Sequence, residues 1–182
     1  MSRPPHARQG VLDAFEAILI ADGERAATMD AVARSAGVSK GGLLYHFASK
    51  DALEAALIER LRTLVDQDLD DIAAAPEGVV AYFIRSSIML GNPIDRAVTA
   101  VSRLAQGGSA AAGAALHEVR ERWAGAVRPH VRDDAALNLV LLLSDGLYFN
   151  NLIDDTSMPA AALPSGDDLD ALIALVRAAT AP

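Results

Sequence analysis

Apolar residues recur along this chain at the three- and four-residue spacing of helix faces, and no segment alternates convincingly at the two-residue period of a half-buried strand. Glycine, proline and capping residues cut this pattern into about nine helices. The first runs from Ala7 to Ala21, with Val11, Leu12, Phe15, Ile18 and Leu19 on one side, and stops before Asp22-Gly23. Two short helices follow between Thr28 and Phe47. The fourth, from Lys50 to about Ala74, aligns Leu53, Leu57, Leu61 and Leu64 and ends at Pro76. At about 1.5 Å per residue it is about 35 Å long. The fifth, Glu77 to Leu90, is apolar nearly all round, which predicts a central, buried position. A sixth spans Ile94 to Ala105 and a seventh Ala110 to Arg128. The eighth, Asp134 to Leu152, is apolar on two sides, and the ninth, Asp168 to Ala179, follows a polar loop over 154–166. The fold class is therefore all-α.

The pair between Thr28 and Phe47 is the most informative part. Thr28 is an N-cap type ahead of Met29, Val32, Ala33 and Ala36, which share a face. Gly37 stands where that helix must stop, since a left-handed residue there suits glycine. Ser39 caps a second helix two residues later, and Ser49 a third. Leu43 and Phe47 hold the second helix against the first, leaving Lys40, Gly41, Gly42 and Tyr45 outward. This spacing predicts a helix-turn-helix that reads duplex DNA; an ordinary helical hairpin is the plainer alternative.

Charge modifies that expectation without removing it. The 182 residues carry 16 Lys and Arg against 24 Asp and Glu, a net charge of −8, which disfavours a generic nucleic-acid binder. The balance is uneven: residues 1–50 carry six basic and five acidic side chains, so nearly all the excess acid lies further on. Binding must then rest on a shaped surface and respond to salt. Apolar residues make up 52% of the chain, enough for a substantial core, and cysteine is absent, which excludes disulfides and thiolate metal sites. The N-terminus lacks the apolar core of a signal peptide and no apolar run reaches membrane-spanning length, so a cytoplasmic protein is expected.

Within the helix-turn-helix, Lys40 is the best placed donor to guanine edges or to phosphate. Gly41 and Gly42 lack side chains and allow the backbone to come close to the bases, although a loose first turn is the simpler reading. Thr28 and Ser39 cap helices and can also hold phosphate, because helix N-termini attract anions. Lys50 opens the fourth helix against an unfavourable dipole, which a nearby phosphate would relieve. Arg3 lies in an N-terminal arm able to reach a groove.

The first 60 or so residues resemble the DNA-binding domain of the tetracycline-repressor (TetR) family of bacterial transcription regulators. The resemblance is carried by Val11, Leu12, Phe15, Ile18, Leu19, Gly23, Thr28, Ala36-Gly37-Val38-Ser39-Lys40-Gly41, Leu43, His46-Phe47, Ser49-Lys50 and Leu53. It implies that Tyr45 and His46 contact the DNA backbone, with a hydrogen bond inside the domain as the plainer alternative for His46. One position departs: Leu44 stands where the family usually has a phosphate-contacting tyrosine, and Tyr45 is the phenol available. The resemblance further implies a ligand-responsive repressor, dimeric through its last two helices (about 134–152 and 168–179), on a palindromic operator. On that reading residues 1–50 form the DNA-binding domain, 51–75 a connecting helix, and 76–182 a ligand-binding and dimerisation domain.

For the second half the residues themselves give less. Arg85, Ser86 and Ser87 interrupt the fifth helix, and Asp145, Asn150 and Asn151 the eighth; buried polar groups need partners, and a ligand is one possibility. Tyr82, Arg85, Met89, Arg103, Trp123, Tyr148 and Phe149 form the candidate lining, with an Arg85–Asp145 structural bridge as an equal alternative. The effector is unidentified; an acidic one would suit Arg85 or Arg103. Enzyme signatures are missing: there is no Glu-x-x-His pair, phosphate loop, serine elbow or cysteine nucleophile, and no metal or cofactor is expected. The competing class is a ligand-binding or scaffold protein whose helix-turn-helix no longer reads DNA.

Overall fold

The structure, a computed structural model, describes residues 4–89, 91–153 and 163–182, with side chains from residue 7 on and up to residue 150 before the second break. Among the described residues there are nine α-helices: α1 Pro4–Asp22, α2 Met29–Ser35, α3 Lys40–His46, α4 Lys50–Ala74, α5 Val79–Ser86, α6 Pro93–Gln106, α7 Ala110–Val127, α8 Asp134–Ile153 and α9 Asp167–Thr180. No strand occurs among them, as the spacing of apolar residues predicts. None of the described helices is long and apolar enough to cross a membrane.

Two compact units make up the chain. The first takes residues 1–65 and 92–119, the second residues 66–91 and 120–182. Compactness thus follows different lines from the expected division of roles into 1–50, 51–75 and 76–182. Helix α6 packs on α1 within the first unit, because Ala97, Ala100, Val101 and Leu104 give it one fully buried apolar face.

The first unit is built on the stripe of α1. Val11, Phe15 and Leu19 are fully buried together with Val32, Leu43, Leu53, Leu57 and Leu61. A charged cluster is set into this packing. Glu16 is buried and accepts from Arg60 at 3.0 Å and from Arg96 at 2.8 Å, so one carboxylate ties α1 to α4 and to α6. Arg60 also donates to Gln9 and Asp13. A buried carboxylate is tolerated only when its oxygens are matched in this way.

The second unit gathers α5, α8 and α9 with parts of α4 and α7. Ile72, Val80, Phe83, Ile84, Val127, Val140, Leu147, Ile173 and Val176 form its core. The expected burial of α5 holds, but the helix is shorter than predicted. Ser86 and Ser87 both turn their hydroxyls onto the Phe83 carbonyl, at 3.1 and 2.9 Å, and the next amides bond three residues back. Side-chain competition for helix carbonyls explains the early stop. Ser87 also meets the Ser144 hydroxyl of α8 inside the core.

Candidate nucleic-acid interface

The turn between α2 and α3 is closed by local chemistry. Gly37 adopts φ +67, the Val38 amide reaches the Ala33 carbonyl at 3.0 Å, and the Gly37 amide reaches Arg34 at 3.2 Å. This double bond pattern ends α2 in the left-handed turn that glycine favours. Thr28 Oγ1 accepts from the Ala31 amide at 3.2 Å, Ser39 Oγ from Gly42 at 3.1 Å, and Ser49 Oγ from Ala52 at 3.2 Å. All three predicted caps are formed.

Leu43 and Phe47 are buried beneath α3, and the Arg8 guanidinium lies 4.7 Å from the centre of the Phe47 ring. Lys40, Gly41, Leu44 and Tyr45 are exposed, and Gly42 and His46 are half-buried. Thr28 and Ser39 are exposed as well, so their hydroxyls cap helices at the surface. The rings of Tyr45 and His46 meet edge to face, with centroids 5.2 Å apart. Residues Thr28, Ser39, Lys40, Gly41, Tyr45 and His46 therefore belong to one local structure. Arg3 lies outside the described residues.

Both lysines have acidic partners. Lys40 Nζ sits 3.0 Å from Asp30, and both side chains are well exposed, so the pair is weak and readily exchanged for another anion. Lys50 is held more firmly: its ammonium donates to the Glu24 carboxylate and, at 3.1 Å, to the Glu24 carbonyl. The dipole penalty at the start of α4 is thus met from within the protein. Glu24 is itself fixed by packing, since a Cβ on Gly107 would fall 2.7 Å from its Cγ. Arg8, Glu24 and Asp30 are the residues of this surface that sequence reasoning missed. Arg8 is readable in hindsight, four residues before Leu12 on the same stripe.

The candidate effector residues are divided between the two units. Arg103 belongs to the first unit, where it lines a groove with Asp22, Glu24, Arg25 and Gln106. The other six belong to the second unit. Trp123 donates its indole N–H to Asp68 at 2.8 Å and packs edge-on to Phe83. Desolvation raises the Asp68 carboxyl above its ordinary range, against the Trp123 hydrogen bond, and nearby Asp71 adds to the rise. Tyr82 is half-buried, and its phenol is raised by burial and by Asp68, Asp71 and Glu77. Arg85 pairs with Asp170 at 2.8 Å and Glu77 at 3.4 Å, while Asp145 pairs with Arg120. The alternative Arg85–Asp145 bridge is therefore replaced by three other pairs. Met89 and Phe149 are exposed, and Tyr148 is half-buried.

Comparison with known proteins fits this geometry. Residues 11–57 match the family described as bacterial regulatory proteins, tetR family. Over 58 residues the chain is 40% identical to the HTH-type transcriptional regulator SrpR of Pseudomonas putida, a match covering 31% of this chain and 27% of that protein. The chain thus spans well under two thirds of that relative's length. Among solved structures it resembles a gamma-butyrolactone receptor (ArpA-like), with TM-score 0.65 and 22% identity over 100% of this chain and 91% of the other. NalD, the secondary repressor of the MexAB-OprM multidrug efflux pump in Pseudomonas aeruginosa, gives TM-score 0.60 and 18% identity, covering 97% and 96%. At these identities the two structures establish likeness of fold.

Proposed function

With its helix-turn-helix head belonging to the tetR family of bacterial regulatory proteins, the chain is, we propose, a ligand-responsive repressor that binds a palindromic operator as a homodimer. The observation that carries the DNA-binding reading is the α2–Gly37–α3 unit itself. Its Thr28 and Ser39 caps and its buried Leu43 and Phe47 fix α3, while Lys40, Gly41 and Tyr45 remain on the open side. In this reading α3 enters the major groove, Lys40 donates to guanine or phosphate, and the Thr28 and Ser39 caps and the Tyr45–His46 pair meet the backbone. Lys50 reaches a phosphate only by loosening its hold on Glu24.

The dimer reading is supported by apolar surface on the last two helices. Ala135, Leu139, Leu142 and Phe149 of α8 are exposed, as are Ala171, Ala174, Leu175 and Ala178 of α9. Helical spacing puts each set on a stripe of its own helix. Covering both stripes with a second copy removes them from water and doubles the number of heads. Two α3 helices about 34 Å apart then meet successive major grooves.

Repression and response to a small molecule are supported by the fold shared with a repressor and a lactone receptor. Residues 76–182 take the effector in this scheme, 51–75 connect, and 1–50 read DNA. An effector acts only through different affinities for two arrangements of the heads. The protein acts in the cytoplasm and carries out no catalysis.

Selection from a randomised duplex library tests the reading. A palindromic consensus, with half-sites about one helical turn apart, is expected. Recovery of no consensus overturns it and favours a scaffold whose lysines are silenced by Asp30 and Glu24.

A further inference from the structure

Leu44 and Tyr45 are the exposed large apolar side chains of the first unit among the described residues, at 43% and 84%. They stand side by side on α3. Leu44 lies one turn after Lys40, and Tyr45 one turn after Gly41, so the four residues make one surface of two columns. The other large apolar side chains described in this unit are wholly or partly covered.

Gly41 sharpens the point. Its backbone is ordinary right-handed helix, and a Cβ added there meets no atom within 4 Å. Neither conformation nor internal packing calls for glycine, and alanine is the better helix former. Gly42 is different, because a Cβ there would lie 3.3 Å from Ser39 Oγ, the capping oxygen. The fold itself explains the second glycine and leaves the first to whatever α3 faces.

A leucine side chain offers nothing to a phosphate or to the donors and acceptors of bases. On the major-groove edge of a base pair the apolar group is the C5-methyl of thymine. We propose that Leu44 reads a thymine methyl in each half-site, and that Gly41 leaves the clearance for α3 to come that close. The inference rests on the DNA-binding function proposed above and assigns Leu44 a role in sequence choice that a phosphate-contacting phenol would not have.

The test replaces each thymine of the selected operator in turn by uracil, which removes the methyl group alone. Wild-type protein is expected to lose about fourfold in affinity at one position per half-site, the weight of one methyl group returned to water. Leu44→Ala loses that dependence and keeps every other uracil response, while Leu44→Met retains it. Gly41→Ala weakens binding to the unmodified operator without lowering the thermal midpoint. If Leu44→Ala and wild type respond alike at every uracil, the methyl-reading role is overturned although DNA binding stands. If Gly41→Ala binds as tightly as wild type, the clearance argument is overturned. If wild type selects no operator, the DNA-binding reading fails and this inference with it.

Discussion

The Lys50 ammonium donates to both the carboxylate and the backbone carbonyl of Glu24, joining the start of α4 to the turn after α1. The pair is 26 residues apart in sequence and partly shielded, so it acts as a structural tie, and the proposed phosphate contact of Lys50 must compete with it. Lys50→Ala should therefore lower stability by about 1 kcal/mol, the usual worth of a partly shielded charged hydrogen bond. Glu24→Gln should raise operator affinity and steepen its salt dependence by about one counterion. Anisotropy titrations at several salt concentrations read both effects; an unchanged slope in Glu24→Gln removes the competition between Glu24 and phosphate.

Lys40 is the opposite case. Its pair with Asp30 is exposed on both sides, so losing it should change stability by under about 1 kcal/mol. Operator binding by Lys40→Ala should weaken by about 1–3 kcal/mol and relax specificity at one base pair. Wild-type affinity together with wild-type sequence preference in the variant would falsify the placement of Lys40 on DNA.

Glu16 should be hard to replace. It is buried and shared between Arg60 and Arg96, so Glu16→Ala leaves two guanidinium groups without their common partner. A loss of about 3 kcal/mol is expected from breaking a buried ion pair on one side. Denaturant titration measures it, and a loss below about 1 kcal/mol means the cluster is looser than its geometry.

The dimer proposal turns on surface residues that the monomer fold does not use. Leu142 and Leu175 are 65% and 67% exposed, so Leu142→Glu or Leu175→Glu should leave the thermal fold of a single chain intact. Sedimentation should change from dimer to monomer, and operator affinity should fall with it. A variant that remains dimeric places the interface elsewhere.

Asp68 gives the second unit a pH dependence of definite sign. Burial raises its carboxyl above 3.8, so the folded state takes up the proton more readily than the unfolded chain. A raised group contributes stability at pH below its unfolded value and loses it as pH rises through the folded value. Asp68→Asn should thus be more stable than wild type at neutral pH, with the difference shrinking as pH falls toward about 4. Thermal melts across that range decide it; a constant difference would mean that the Trp123 hydrogen bond cancels desolvation, and one that grows as pH falls would mean that it outweighs it.

Local features of this fold were legible because they depend on neighbours in sequence. Thr28, Ser39 and Ser49 cap amides three residues ahead, and Gly37 closes a turn of its own helix. The outward placement of Lys40 and Tyr45 followed from the burial of Leu43 and Phe47. Partners across helices were not legible. Glu24 for Lys50, Asp30 for Lys40 and Asp170 for Arg85 are set by which helix lies beside which, and periodicity does not encode that. The same limit explains the candidate effector set, which drew Arg103 from one unit and six residues from the other. The end of α5 is not legible for a local reason: Ser86 and Ser87 show as polar interruptions of an apolar helix, but apolar spacing does not tell that their hydroxyls bond the Phe83 carbonyl and end it there.

Because residues 92–119 are woven into the first unit, the helix-turn-helix part cannot be lifted out as a cassette by cutting the chain after residue 65. Such a fragment would leave the flank of α1 that α6 covers open to water and Glu16 without Arg96. Chimeras built to transplant the proposed operator preference need both segments, or substitutions confined to the outer columns of α3.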